Sequence, residues 1–133
     1  MADLVCVDPA QVKRIWPHAS HLIRAAILRT GLSDFSIVQD SILNGDALLW
    51  LVWDGNQIKA AASTILEIAN GEKTCVIVAC GGGDMREWFG LIEQIETYAK
   101  NEKCRCTRIV GRKGWSRVLE GYSERHVILE KAL

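Results

Sequence analysis

The sequence predicts an α/β domain with a mixed sheet: N-terminal helices, an antiparallel three-strand meander, a β-α-β crossover, a short helix and a final strand. Three observations predict it. The apolar run Cys75-Val76-Ile77-Val78-Ala79-Cys80 leads into Gly81-Gly82-Gly83, then a helical pattern, then a second apolar run from Cys106 to Gly111. Two turn signals, Asp54-Gly55 and Asn70-Gly71, divide the stretch before that run into strands. The chain ahead of them carries its apolar residues at helical spacing. A strand, loop, helix, strand unit joins parallel strands by a right-handed connection, so 75–80 and 106–111 are expected side by side and parallel.

Taken in order, Leu4-Val5-Cys6-Val7 is a short strand. Asp8 then caps a helix with Pro9 in its first position and Gln11 at the third, and Val12, Ile15 and Trp16 form its apolar face. Pro17 is expected to break or kink it, because proline donates no backbone hydrogen bond and crowds the preceding turn. A second helix from about His18 to Arg29 turns Leu22, Ile23, Ala26 and Ile27 inward and stops at Gly31. A third starts at Ser33 or Asp34, carries Phe35, Val38 and Ile42, and ends at Asn44-Gly45. Strands follow at Ala47–Trp53 and Ile58–Ile68, and the small run Ala60-Ala61-Ala62-Ser63 marks a bulge or close packing. The crossover helix begins at Asp84, with Glu87 reaching back as in a capping box, and buries Met85, Trp88, Phe89, Ile92, Ile95 and Ala99. After it come a short helix through Leu119, Gly121-Tyr122, and a closing strand from His126 to Glu130.

At 133 residues, 49% of them hydrophobic and 24% charged, the chain reads as a single domain, 1–133, large enough for a real core. The net charge of zero gives no global argument for nucleic acid. No apolar run approaches the ~20 residues of a membrane span, and the N-terminus shows no secretory pattern. Five cysteines without zinc-like spacing read as buried reduced thiols, which fits a cytoplasmic location. His18 and His21 share a helix face, but two histidines do not make a metal site, and no metal is expected.

The order of elements resembles the fold of the GNAT N-acetyltransferases. Asp54 to Ala62 looks like that family's hairpin, and Ile109 through Tyr122 looks like its strand, short helix and Gly-Phe ending, with Gly121-Tyr122 in that place. The style of the chain also looks like that of small GNAT-like proteins of tailed phages and prophages. That likeness implies an interaction or virion-associated module, with a protein partner and a place in the cytoplasm or within a phage particle. The family resemblance implies a cofactor, acetyl-CoA, whose pyrophosphate is held by backbone N–H groups of a loop patterned Q/R-x-x-G-x-G/A. Gly81, Gly82 and Gly83 stand there, with Gly83 as the central glycine and Arg86 as a nearby cation, but Cys80 and Met85 depart from the pattern. The loop reads either as a degenerate cofactor site or as a glycine turn joining strand to helix. The family's tyrosine acid falls at Arg117. Glu67 is the best candidate for a general base activating an amine, and a solvent-facing strand glutamate is the other reading.

These departures predict a protein that does not transfer acetyl groups. The implied alternatives are an N-acetyltransferase with an atypical loop and a CoA-binding sensor. Charge is segregated: Lys100, Lys103, Arg105, Arg108, Arg112, Lys113 and Arg117 stand against Glu102 alone, whereas residues 34–72 are acidic. The basic stretch reads as a solvated face or as a surface for phosphates or an acidic protein, and nucleic acid is not indicated by one interleaved aromatic, Trp115. Trp50 and Trp53, three apart on a strand, must face opposite sides of the sheet.

Overall fold

The computed structural model describes residues 3–83, 85–111 and 115–133, with the side chains of Met85 and Glu87 left aside. The chain runs β1 (Asp3–Cys6), a 3-10 turn (Pro9–Gln11), α1 (Val12–Thr30), α2 (Phe35–Leu43), β2 (Leu48–Trp53), β3 (Ile58–Ala69), β4 (Glu72–Gly82), α3 (Met85–Asn101), β5 (Cys106–Ile109) and α4 (Trp115–Val118). The five strands form one sheet in the order β1-β2-β3-β4-β5, with the β1-β2, β2-β3 and β3-β4 pairs antiparallel. β5 lies parallel to β4, with Thr74 opposite Cys106 and Ile77 opposite Ile109, as the crossover order predicts.

Local chemistry sets the boundaries. The Asp8 carboxylate accepts from the Ala10 N–H at 2.9 Å, and Asp34 accepts from the Ser36 N–H at 2.9 Å, each satisfying an orphan donor at a helix start. Gly31, at φ +65°, ends α1 with its N–H on the Ile27 carbonyl, a left-handed cap that costs glycine nothing. Asp54 closes the first hairpin by accepting from the N–H groups of Asn56 and Gln57, both at 2.8 Å. At the second hairpin both Asn70 and Gly71 have positive φ, the geometry of a two-residue turn matched to strand twist.

Two expectations are corrected. Pro17 does not break the first helix: α1 runs unbroken from Val12 to Thr30. Pro17 and Lys13, whose carbonyl loses its helical donor, both lie on the exposed side, where water can satisfy that carbonyl, while Trp16, Ala19 and Ile23 hold the helix to the sheet. The closing strand His126–Glu130 does not form; residues after Tyr122 have no regular structure, and Val127, Ile128 and Leu129 are 81%, 64% and 91% exposed. β-branched residues favour a strand only where an edge accepts them, and these residues pair with no strand among the described residues.

Both sheet faces are covered. α1 and α2 pack over Leu49, Leu51, Ala61 and Ala79. α3 packs over Trp50, Val52, Ala60, Ala62, Cys75 and Ile77, through Trp88, Leu91, Ile92, Ile95 and Ala99, with Phe89 half-buried against them. Leu91, fully buried, belongs to this face although it lies off the predicted set. Trp50 turns to the α3 side, where its Nε1–H donates to Thr64 Oγ1 at 2.9 Å, and Trp53 stands partly exposed at the strand end. The small residues serve close packing: Ala60, Ala61 and Ala62 are all fully buried. The register of β3 against β4 also shifts between Ser63 and Thr64, so both readings of that run hold.

The cysteines are all unpaired, but Cys6 is exposed, which corrects the expectation that every thiol is buried; β1 lies at the sheet edge. No helix among the described residues is long and apolar enough to cross a membrane.

Candidate functional site

The site of interest opens where β4 and β5 part. Their paired positions end at Ile77 and Ile109, with one further bond from the Val110 N–H to the Ile77 carbonyl at 3.2 Å. β4 continues to Gly82, paired with β3 on one side and with no β5 residue on the other. The notch is lined by Arg29 and Thr30 from α1, residues 77–80 of β4, residues 109–111, and Trp88 and Trp115.

Two stacked indoles form part of its wall. Trp88, in the first turns of α3, stacks on Trp115 at the start of α4, ring centroids 4.6 Å apart and planes 26° from parallel. The free volume left in the notch is about 20 Å³, room for about one water molecule. The Trp88 Nε1–H is buried and has no hydrogen-bond partner among the described residues, an arrangement that costs about 1–3 kcal/mol in lost solvation.

Gly81 and Gly82 are closely packed on opposite faces of β4. A β-carbon added at Gly81 would fall 2.5 Å from the Leu22 carbonyl oxygen of α1. One added at Gly82, on the opposite face, would meet Ala60 Cβ, the Lys59 carbonyl oxygen and Trp88 Nε1, each at 2.8 Å. Gly81 pairs with Ala61 and Gly82 with Ala60, so a patch of small residues seats α1 on one face and the Trp88 indole on the other. Gly83 has open space around it and is exposed. Arg86 is exposed on α3. Thus Gly81, Gly82, Gly83 and Arg86 do gather at the β4–α3 junction, but two of the three glycines have a packing reason to be there. Asp84, the expected cap, lies outside the described residues.

Glu67 lies elsewhere. It pairs with Thr74 at the far end of β4, roughly 25 Å from Gly82 at about 3.3 Å per residue. It is exposed, and its carboxylate is 3.8 Å from the Arg108 guanidinium. Neither the glycine loop nor the notch shares an environment with it. Arg117 is exposed on α4. Tyr122 reaches inward, donating to Glu96 at 2.7 Å and sitting 2.6 Å from Thr107 Oγ1. Burial, with the Glu96 carboxylate adding to it, pushes the phenol far above its ordinary value, so it holds its proton. Cys80, in the place of the family's Gln or Arg, is a buried thiol pushed up to about 12 and stays neutral.

The sheet brings part of the acidic and basic stretches together. Arg105 binds Glu72 at 2.9 Å, Arg108 faces Glu67, and Lys73 lies 3.4 Å from Glu102. Lys100, Lys103 and Arg117 remain on the surface, whereas Arg112 and Lys113 lie outside the described residues. Among the described residues no group of three His, Cys, Asp or Glu side chains is placed to hold a metal ion.

Sequence reasoning singled out Trp88 and Trp115 separately, one as a helix-face residue and one as an aromatic among cations, and missed the stack. The available signal was an aromatic at the start of each helix flanking β5.

No family model matches the sequence. No curated protein matches it either. Solved structures do resemble it along its whole length. A predicted acetyltransferase from Clostridium acetobutylicum, solved with acetyl-CoA, superposes with a TM-score of 0.66 at 11% identity, covering 98% of this chain and 96% of that one. An aminoglycoside acetyltransferase from an uncultured soil metagenomic sample, in complex with sisomicin, gives 0.72 at 10% identity, covering 99% and 95%. The glucosamine-6-phosphate N-acetyltransferase of Arabidopsis thaliana gives 0.68 at 12% identity, covering 99% and 98%. With its crossover, its parted strands and these likenesses together, the chain has the fold of the GNAT acetyltransferases.

Proposed function

We propose that this chain is a GNAT-fold protein that does not transfer acetyl groups and acts as a protein-interaction module. The observation that carries this reading is the Trp88–Trp115 stack, which walls the notch between β4 and β5, where about 20 Å³ is free. That volume has room for about one water molecule, too little for a ligand arm entering beside the stacked indoles. Three features agree with it. Gly81 and Gly82 are explained by packing, Glu67 is remote from the notch, and Arg117 stands where the family's tyrosine acid falls. The narrower virion-associated role rests on the likeness in sequence style alone.

One observation favours a second reading, retained binding of acetyl-CoA. The Trp88 Nε1–H is an unsatisfied buried donor lining the notch, a group that a ligand carbonyl would satisfy. Acetyl transfer assayed with a panel of primary amines, from aminoglycosides to amino sugars and peptides, tests the main reading. It expects no turnover above the uncatalysed rate. Saturable transfer to any of them would overturn it.

A further inference from the structure

We propose that the outward face of α1 and the groove beside it dock an acidic segment of a partner protein, which seats an aliphatic side chain between α1 and α2. The proposal rests on the interaction-module reading above and gives that module its partner chemistry. α1 carries Lys13, Arg14, Arg24 and Arg29 and no aspartate or glutamate. Lys13, Arg14 and Arg24 are exposed, with His18 and His21 among them, on the side of the helix opposite buried Trp16, Ala19 and Ile23. None of these three cations forms an ion pair among the described residues. Arg14 donates to Gln11 Oε1 at 2.7 Å, and the Arg24 guanidinium lies 4.5 Å from the centre of the Phe35 ring. Lys59, Lys73, Arg105 and Arg108, by contrast, all face carboxylates of this chain. The cations of α1 are thus left for a carboxylate from outside.

The groove supplies the apolar half of the surface. It lies between α1 and α2, has a volume of about 260 Å³, and shares no residue with the β4–β5 notch. Ala25, Leu28 and Phe35 give it an apolar wall, and Leu28 is 73% exposed. Arg24, His21 and Gln39 add polar groups, and no acidic side chain lines it. Gln39 Oε1 accepts from the Trp16 indole N–H at 2.8 Å, which leaves the Gln39 amide N–H groups for a ligand acceptor. From Lys13 to Leu28 the surface runs roughly 22 Å at about 1.5 Å per residue, the span of a peptide segment rather than of a small molecule. Phe35 already stacks on Trp16 and carries Arg24, so it offers no free ring face to a nucleic-acid base. Asp34 and Asp40, exposed and adjacent in sequence to Phe35 and Gln39, disfavour an anionic bilayer laid across both helices. The same two acids confine a narrow segment's carboxylates to the α1 side.

Fluorescence anisotropy on the full 133-residue chain tests this. The probe is a fluorescein-labelled peptide of about 14 residues, glutamate throughout except for leucine at every fourth position, long enough as a helix to follow α1 from Lys13 to Leu28. The expected dissociation constant is below about 100 μM at about 50 mM NaCl and rises at least about fivefold by about 200 mM. Arg14→Glu combined with Arg24→Glu should weaken binding at least about tenfold, with an unchanged circular dichroism spectrum, and so should Leu28→Asp alone. Lys100→Glu combined with Lys103→Glu, at the end of α3, should leave it within about twofold. Phosphatidylserine vesicles and single-stranded RNA should show no saturable binding. The readout is independent of acetyl transfer, so turnover would overturn the reading above without moving these affinities. No saturable peptide binding, binding that survives Arg14→Glu with Arg24→Glu, or vesicles or RNA bound more tightly than the peptide would each overturn the proposal.

Discussion

Replacing Ile92 by alanine tests the packing of α3, on which the crossover depends. Ile92 is 2% exposed and sits in the cluster between α3 and the sheet. The change removes three buried methyl or methylene groups, about 0.8 kcal/mol each in transfer free energy, or roughly 2.4 kcal/mol. The hole left behind adds to that, because Leu91 and Ile95 beside it are held by the helix and the surrounding strands relax only partly. A total of about 3–4 kcal/mol is expected, within the range seen for large-to-small core changes. Ile92→Val, which removes one group, should cost about 1 kcal/mol, and Gln94→Ala, on the exposed side of the same helix, less than about 0.5 kcal/mol. Urea unfolding followed by far-ultraviolet circular dichroism measures all three, with unchanged m-values showing that the unfolded state is not what moved. A loss below about 0.5 kcal/mol for Ile92→Ala, or a Gln94→Ala cost equal to it, would mean that this face is not the buried one.

Three further outcomes follow from particular contacts. Gly81→Ala forces a carbon against the Leu22 carbonyl and should destabilise by at least about 1–3 kcal/mol, whereas Gly83→Ala, in open space, should be close to neutral in the same urea assay; equal effects would remove the packing account of the loop. Thr64→Val leaves the buried Trp50 indole N–H without its acceptor and should cost about 1–3 kcal/mol, and a neutral result would show that this bond is not formed. Burial raises the Cys75 thiol to about 11 and the Cys80 thiol to about 12, from 9.0 when unfolded. Between about pH 9 and 11–12 the unfolded chain therefore binds fewer protons than the folded one, and unfolding stability should fall as pH rises through that window. Cys75→Ala with Cys80→Ala should flatten the slope, measured by urea titrations at pH 8 and 10.5, and an unchanged slope would place its origin elsewhere.

The elements set by local chemistry were legible in the sequence. The caps at Asp8 and Asp34, the turns at Asp54-Gly55 and Asn70-Gly71, and the face of α3 through Trp88, Ile92 and Ile95 each depend on residues within a turn or two of one another. The parallel pairing of β4 and β5 was legible because handedness and connection rules leave few alternatives. What depended on distant partners was not. Pro17 reads locally as a stop, but the sheet holds the turns on either side of it. The run at 126–130 reads locally as a strand, but a strand needs an edge. The acidic and basic stretches read as separate surfaces until the β4–β5 register set Arg105 against Glu72 and Arg108 near Glu67. For the candidate site, the glycine loop was visible as letters. Its packing role, and the tryptophan pair beside it, depend on contacts between residues far apart in the chain.

We propose that the Trp88–Trp115 pair closes the notch between β4 and β5 to acetyl-CoA. Titration calorimetry of the wild-type chain with acetyl-CoA, followed in parallel by tryptophan fluorescence, tests it most directly. The closed notch predicts no saturable heat and no change in the emission of the stacked indoles. A dissociation constant in the low micromolar range, with a fluorescence change that saturates at the same concentration, would contradict it.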